Sequence, residues 1–231
     1  MQRLSKTLQQ GGAASRRGAE QIIFEGKVKV NGVTIIKPEH HVSSEDIITV
    51  NNRRLRRSQS KHYYLLNKPT GYLCCNLRKG KERLVLDLFS GVKERLFTVG
   101  RLDKETSGLI IVTNDGEFAN RIMHPRFGVE KEYLVKTNIE ITGLHLQTIS
   151  KGTTVEGVHV KPKRVCKVRK GTLKIVVGEG RKREVRRLVE DAGLEVVELT
   201  RIRIGALSLG RLPVGTWKEM NKKEIELVCN I

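Results

Sequence analysis

Gly100-Arg101-Leu102-Asp103-Lys104-Glu105-Thr106-Ser107-Gly108-Leu109 is the stretch on which the reading of this chain turns. It sets one carboxylate, Asp103, in a turn between two apolar, β-like runs, Leu96–Val99 and Leu109–Val112. Gly100 and Gly108 let the backbone turn tightly and let a ligand come close. An aspartate held on a loop by a rigid sheet is placed to act as a nucleophile or a general base. Taken alone, its commoner reading is a turn aspartate bonded to nearby backbone.

Outward from that loop, strands and helices alternate. Strand-like runs fall at Tyr63–Asn67, Leu109–Thr113, Glu132–Lys136, Leu173–Val177 and Val196–Ile204. Adjacent Cys74 and Cys75 sit in a further strand-like run, Tyr72–Asn76. Helices are predicted at Glu117–Met123, Gly143–Ser150 and Glu184–Ala192, the last closed by Gly193. The stretches near 67–95 and 151–172 carry no long crossover helix, which argues against a doubly wound fold. The predicted class is α+β, with a mixed, mostly antiparallel sheet, flanking helices and a central cleft.

The first ~50 residues form a module of their own. Leu4 and Leu8, then Ala14, Ala19, Ile22 and Ile23, predict two short helices separated by Gly11-Gly12, with Ser15 as the second N-cap and Arg16 and Arg17 in its first turn. Val28, Val30, Val33 and Ile35 alternate around Asn31-Gly32, a hairpin signal, and Ile47–Val50 adds a strand. Arg3, Arg16, Arg17, Lys27, Lys29 and Asn31 would share a polar surface suited to phosphates. Arg53, Arg54, Arg56 and Arg57 follow without apolar periodicity and read as a linker or an RNA-contacting strap. The predicted organisation is a module at 1–52, a basic linker at 53–61 and a catalytic domain at 62–231.

Composition narrows the partner. Lys+Arg 44 against Asp+Glu 25 gives a net charge of +19, which points to a polyanion, most simply nucleic acid. Aromatic content of 4% implies an aliphatic core. Four cysteines form no C-x-x-C pair, so no zinc site is expected; adjacent Cys74 and Cys75 read as free thiols of a reducing compartment. No apolar run approaches ~18 residues, so no membrane span is expected, nor a signal peptide. The first 19 residues carry no acid, as in organelle transit peptides, but the fold of the front module accounts for that.

Two more segments join the Asp103 loop. Lys131-Glu132-Tyr133 lies in an alternating strand, and Gly178-Glu179-Gly180-Arg181-Lys182-Arg183-Glu184-Val185-Arg186-Arg187-Leu188 opens a helix with five basic residues among 181–187. A helix start with arginines favours anions, here RNA phosphate or a carboxylate.

Residues 1 to about 52, RLSKTLQQGGAASRRGAEQIIFEGKVKVNG and the DIITV strand, resemble the alpha-L RNA-binding module of the ribosomal protein S-four type. NKPTGYL (67–73), GRLDKETSGLIIVTNDGEFANRIMHP (100–125), EKEYLV (130–135), GEGRKREVRRL (178–188) and RIRIGALSLGRLPVGTW (201–217) resemble the RsuA/RluB family of ribosomal RNA pseudouridine synthases. That likeness implies isomerisation of chosen uridines without cofactor or metal. It gives Asp103 the family aspartate's action on the ribose, Tyr133 the stacking on a flipped uracil, and Arg186 the pairing with Asp103. Arg101 would touch the nucleotide backbone and Ile204 or Leu207 would form an apolar pocket wall. RNA contacts fall to Arg3, Ser15, Arg16, Arg17, Lys27, Lys29, Asn31, Arg53, Arg54, Arg181 and Arg183. R-E-V-R-R and R-I-R-I-G resemble the RluB branch, which implies a large-subunit ribosomal RNA substrate, possible in an assembly intermediate, and a monomeric enzyme of the cytoplasm or of an organelle stroma or matrix.

Two other readings compete. One is a non-catalytic RNA-binding protein on the same fold, which the intact trio Asp103, Tyr133 and Arg186 disfavours. The other is an N-glycosidase using an acidic pair such as Glu105 and Asp115. His40 and His41 have no metal partners in sequence, His124 before Pro125 reads as a helix-end cap, and Trp217 as a packing residue.

Overall fold

A computed structural model of the protein describes residues 1–55, 60–78 and 80–229. They divide into two compact units: Met1–Lys61 with Asn114–Gly116, and 62–113 with 117 onward.

In the first unit, α1 (Leu4–Gln10) and α2 (Arg16–Phe24) pack Leu4, Leu8, Ala19 and Ile23 against a four-stranded sheet. Ser15 caps α2 by accepting from the Gly18 amide at 3.0 Å. β1 (Val28–Val30) turns into β2 (Val33–Thr34) through Asn31 (φ 50°) and Gly32 (φ 83°), the left-handed pair that a two-residue hairpin needs. β3 (Ile48–Val50) pairs with β1 on the other side. Asn51 and Asn52 repeat the left-handed turn (φ 50° and 62°), and Arg53–Arg54 return as β4 against β3. This corrects the linker reading of Arg53 and Arg54, which are a paired edge strand. The basic run lacked apolar periodicity because an edge strand with exposed side chains needs none. Arg56 and Arg57 lie outside the described residues.

The second unit is built on a nine-stranded sheet. Its strands include β5 (Tyr63–Lys68), β6 (Phe97–Val99), β7 (Ser107–Thr113), β8 (Lys131–Thr137), β9 (Arg164–Arg169), β10 (Thr172–Val177), β11 (Val196–Ile204) and β12 (Trp217–Glu219). The continuous order is β9-β10-β8-β11-β7-β5-β12, with β6 beside β7 and Leu207–Ser208 beside β11. Within this sheet β7 and β11 run parallel and the other pairings are antiparallel. Helices α3 (Gly116–Met123), α4 (Gly143–Lys151), α5 (Glu184–Glu190) and α6 (Lys222–Cys229) complete the chain.

Both faces of the central strands are covered. Leu66, Ile110 and Val112 pack on one side with Val185, Leu188 and Val189 of α5. Leu65, Leu109 and Ile111 pack on the other with Phe118, Ala119 and Ile122 of α3. That double burial is why β5 and β7 read as unbroken apolar runs rather than alternating ones. Trp217 packs as expected, 5.0 Å from Phe89 between ring centroids, with its indole N–H donating to the Leu88 carbonyl at 2.9 Å. Cys74 and Cys75 lie beyond a two-residue strand, Tyr72–Leu73, rather than within a longer one, and α5 ends at Glu190, earlier than the reading to Ala192. Among the described residues no helix is long and apolar enough to cross a membrane.

Gly108 makes the parallel pairing feasible. Its φ is 106°, and a Cβ there would lie 2.3 Å from the Arg201 carbonyl oxygen and 2.6 Å from the Arg201 nitrogen. Gly108→Ala therefore demands both a strained backbone and separation of β7 from β11. It should destabilise the protein by more than about 2 kcal/mol, read as a lower urea midpoint at unchanged slope. A midpoint within error of the parent would show that the strands tolerate a side chain there.

Candidate active site

The loop between β6 and β7 carries Asp103, and its backbone is held at every carbonyl from 103 to 106. Lys68, the last residue of β5, is fully buried, and its ammonium donates to the carbonyls of Asp103 (3.2 Å), Lys104 (3.4 Å) and Thr106 (2.8 Å), and to that of Pro69 (3.0 Å). Burial pulls its pKa below the usual lysine range, with the charges around Cys74, Glu105 and Asp103 opposing. The Gly71 amide donates to the Lys104 carbonyl at 2.7 Å, and the Thr106 amide to that of Asp103 at 3.1 Å. The Leu102 amide rests on Cys74 Sγ at 3.4 Å. The half-buried Asp103 side chain lines a cleft of about 1100 Å³. Lys68 carries no functional label in the sequence beyond its place in N-K-P; an isolated lysine ending an apolar strand was the available signal.

Tyr133 and Arg186 line the same cleft. Strand alternation puts Lys131, Tyr133 and Val135 on one face of β8; Val135 is in the core and Tyr133 is 8% exposed. Val185, Leu188 and Val189 dock α5 and bring Arg186 inward, where its Nη2 donates to the Glu105 carbonyl at 3.2 Å. Among the described residues no ion pair within 4.0 Å joins Arg186 to Asp103, so the expected pairing is not made here. The guanidinium grips the loop's backbone instead, and its buried Nε has no partner. Arg187, about 100° further round the helix, is exposed.

Ile204 lines the cleft wall; Leu207, opposite it in register, lies in the core and not on the cleft. Directly paired across the hairpin, the two share one face and one core cluster, and of the two Ile204 reaches the cleft lining. Arg101 is exposed on the cleft rim. Arg201, not singled out from sequence, is 4% exposed and lines the cleft; its Nε donates to the Leu109 carbonyl at 2.8 Å and its buried Nη2 is unpartnered.

The loop at 178–183 is braced from two sides. The amides of Gly180 and Arg181 donate to Glu184 Oε2 at 2.9 and 2.8 Å, while Lys131 Nζ donates to the carbonyls of Gly178 (3.2 Å) and Glu179 (3.5 Å). Burial raises the Glu184 carboxyl above its usual range, against those two amides. Arg181 and Arg183 stand at the cleft mouth, the first 2.9 Å from Glu179 and the second 3.6 Å from Glu190. Arg183 adopts a left-handed backbone (φ 55°) at the start of α5.

In the first unit Arg3, Arg16, Arg17, Lys27, Arg53 and Arg54 are exposed, and Lys29 is half-buried. Register through Thr49 puts Lys29 and Arg54 on one face of the small sheet. Lys27 pairs with Glu25 at 2.6 Å. Asn31 is a brace: its amide donates to Asp46 Oδ1 at 2.9 Å and its Oδ1 accepts from the Ile47 amide at 2.8 Å. Ser15 likewise serves α2. Asp115 is buried and paired with Lys61 at 2.9 Å, which removes it from an acidic catalytic pair. His124 caps the turn that follows α3, accepting from the Arg126 amide at 3.2 Å. Among the described residues no three His, Cys, Asp or Glu gather where they could hold a metal ion.

Comparison with known proteins follows this geometry. The family described as RNA pseudouridylate synthase matches residues 62–191, and the S4 domain matches 2–48. The ribosomal large subunit pseudouridine synthase B of Bacillus subtilis is 35% identical, over 98% of this chain and 95% of its own length. An RNA pseudouridine synthase of Aquifex aeolicus, otherwise uncharacterised, is 41% identical over 96% of this chain and 92% of its own. A chloroplast protein of Arabidopsis thaliana is 45% identical, and the match spans 98% of this chain but 60% of that protein. A crystal structure of a pseudouridylate synthase superposes with a TM-score of 0.72 at 28% identity, covering 99% of this chain and all of that one.

Burial first, and then the Arg201 guanidinium, push the Lys131 ammonium down to about 8, Glu184 opposing. The folded protein thus releases this proton at lower pH than the unfolded chain does. Stability from this site should rise with pH between about 8 and the ordinary lysine value near 10.5. Comparing urea midpoints at each end of that window, the parent should gain on Lys131→Met as pH rises. A constant gap between the two would show that Lys131 titrates normally.

Proposed function

Because this chain belongs to the RNA pseudouridylate synthase family, we propose that it isomerises selected uridines of large-subunit ribosomal RNA to pseudouridine, with Asp103 acting on the ribose. The observation that carries this reading is the meeting of Asp103, Tyr133 and Arg186 in one cleft, with the Asp103 loop fixed by backbone hydrogen bonds before any substrate arrives.

The reaction breaks the glycosidic bond to N1, rotates the freed uracil and joins C5 to the same ribose carbon; the C5 proton is released. No atom is added and no electron leaves. What is needed is a carboxylate at the sugar, a closed pocket and a grip on the detached base. Asp103 either attacks the anomeric carbon or removes the 2′ proton. The target base leaves its stack at a cost of a few kcal/mol, least in a single-stranded loop. Stacking on Tyr133 returns ~1–3 kcal/mol. Ile204 closes the apolar wall, and the unpartnered Nε of Arg186 is available to an oxygen of Asp103 or of the nucleotide. Arg101, Arg181 and Arg183 at the rim meet flanking phosphates, and the front module supplies a separate RNA grip through Arg16, Arg17, Lys27 and Lys29. The enzyme acts as a monomer on naked RNA or on an assembly intermediate.

Ribosomal RNA transcripts labelled with tritium at uridine C5 test the reaction directly. One equivalent of tritium released per large-subunit transcript is expected from the parent and none from Asp103→Asn, with RNA affinity kept within a few-fold. Substantial release by Asp103→Asn would remove Asp103 from its role, and release from the small-subunit transcript alone would move the substrate to that subunit. No release from either RNA or from assembly intermediates would leave the binding-protein reading.

Replacing Arg16, Arg17, Lys27 and Lys29 together with Ala should weaken RNA binding and flatten its salt dependence by ~0.7–0.9 per lost phosphate contact. An unchanged slope would take the front module out of the interface.

A further inference from the structure

Between Gly157 and Gly178 the chain carries seven lysines and arginines and no acidic residue. Most of them lie on β9, an edge strand of the large sheet, or at its ends. Three are neutralised from elsewhere: Lys167 and Lys170 by Glu140 at 3.3 and 3.8 Å, and Lys174 by Glu132 at 3.8 Å. The other four, Lys161, Lys163, Arg164 and Arg169, are exposed and have no ion pair or side-chain hydrogen bond among the described residues.

This row connects to the cleft. The Lys163 amide donates to the Val176 carbonyl at 2.7 Å, and the Lys163 side chain lies over Gly178, where an added Cβ would meet Cε at 3.4 Å. Gly178 starts the loop that Lys131 anchors and that carries Arg181 and Arg183 to the cleft mouth. From there β9 extends about 20 Å at ~3.3 Å per residue, a span of several nucleotides. Charges on an edge strand also deter edge-to-edge pairing. One or two suffice for that, and the deterrent has no need to continue beyond the strand to Lys161 and Lys163. A second groove, of about 390 Å³, lies on the other side of Arg183, but Glu156 and Glu190 line it too, and Glu190 already pairs with Arg183.

We propose that the β9 edge is a phosphate track for the RNA strand flanking the target nucleotide, which leaves the cleft over Gly178 past Lys161 and Lys163 and runs along Arg164 to Arg169. The proposal rests on the reading of the substrate as RNA. It assigns these four residues to strand capture and none of them to the chemical step.

The test uses the full chain and two RNAs: a hairpin from large-subunit ribosomal RNA that the parent modifies or binds, and the same hairpin with a single-stranded tail of about ten nucleotides on each side. The variant carries Lys161→Gln, Lys163→Gln, Arg164→Gln and Arg169→Gln. For the tailed RNA the slope of log affinity against log salt should fall by roughly 2–4, at ~0.7–0.9 per contact. KM should rise at least several-fold while kcat stays unchanged. For the bare hairpin both affinity and slope should match the parent. Two double variants, Lys161→Gln with Lys163→Gln and Arg164→Gln with Arg169→Gln, should each lower the slope on the tailed RNA by about 1–2, and they decide the matter if the quadruple variant melts early. An unchanged slope on the tailed RNA, or equal losses on both RNAs, would overturn the track. Binding is read without turnover, so absence of pseudouridine in the parent's RNA would remove the proposed reaction while the slopes still judge the track.

Discussion

A buried ammonium holds this molecule's chemistry in place. Lys68 has no exposed surface and no carboxylate within ion-pairing distance among the described residues; its proton donors are spent on four carbonyls, three of them in the Asp103 loop. Removing a charge from water is costly, and hydrogen bonds to oriented carbonyl dipoles are what offset it. The loop depends on the lysine as much as the lysine on the loop, since carbonyls buried without donors would be penalised in turn. Arg186 closes the one remaining carbonyl, that of Glu105. The outcome is a carboxylate on a loop that has little left to reorganise when a substrate arrives, the condition under which fixed polar groups act most effectively on a reacting centre.

The same economy of donors explains the cleft floor. Arg201 lies where β7 and β11 meet in parallel, at a close approach of the two backbones that residue 108 permits by having no side chain. It spends Nε on the Leu109 carbonyl and leaves Nη2 buried and unpartnered, as Arg186 leaves Nε. Buried donors without acceptors are rare in native proteins. Two of them on cleft-lining arginines fit a pocket that is completed by an oxygen-rich ligand.

Much of this was legible in the sequence, and the reasons for the rest are physical. The Asp103 loop, the strands around it, the Asn31-Gly32 hairpin and the Ser15 cap follow from local rules: apolar runs, left-handed turn residues and capping chemistry. Tyr133 reaches the cleft by strand alternation, whereas Ile204 shares that side with Leu199 and Arg201 because the register skips Ile202, a bulge that no sequence pattern records. Arg53–Arg54 and β9 were missed because exposed edge strands bury little on either face and leave no apolar signature. Lys68 and Arg201 were passed over because their partners are main-chain carbonyls, and no sequence pattern records those. Leu207 failed for a related reason: beside Ile204 across a hairpin, nothing in composition says which of two aliphatic side chains meets the cavity. The Asp103–Arg186 pairing is not made among the described residues because the guanidinium bonds to backbone two residue positions away from the side chain it was expected to meet.

The excess of +19 sorts into three kinds of cation once the fold is known. Lys68, Lys131 and Arg201 are structural, bound to carbonyls in the interior. Lys167, Lys174 and Arg203 are matched by nearby acids, Arg203 lying 2.9 Å from Glu132. The third kind, exposed and unmatched, exchanges counterions for phosphates most readily and contributes most to the salt dependence of RNA binding, while Lys27, Arg181 and Arg183 must first give up an exposed acid. Net charge therefore identifies the class of partner while overstating the number of contacts. Within the larger unit, the unmatched cations at the cleft rim and along the β9 edge are what the proposed strand path rests on.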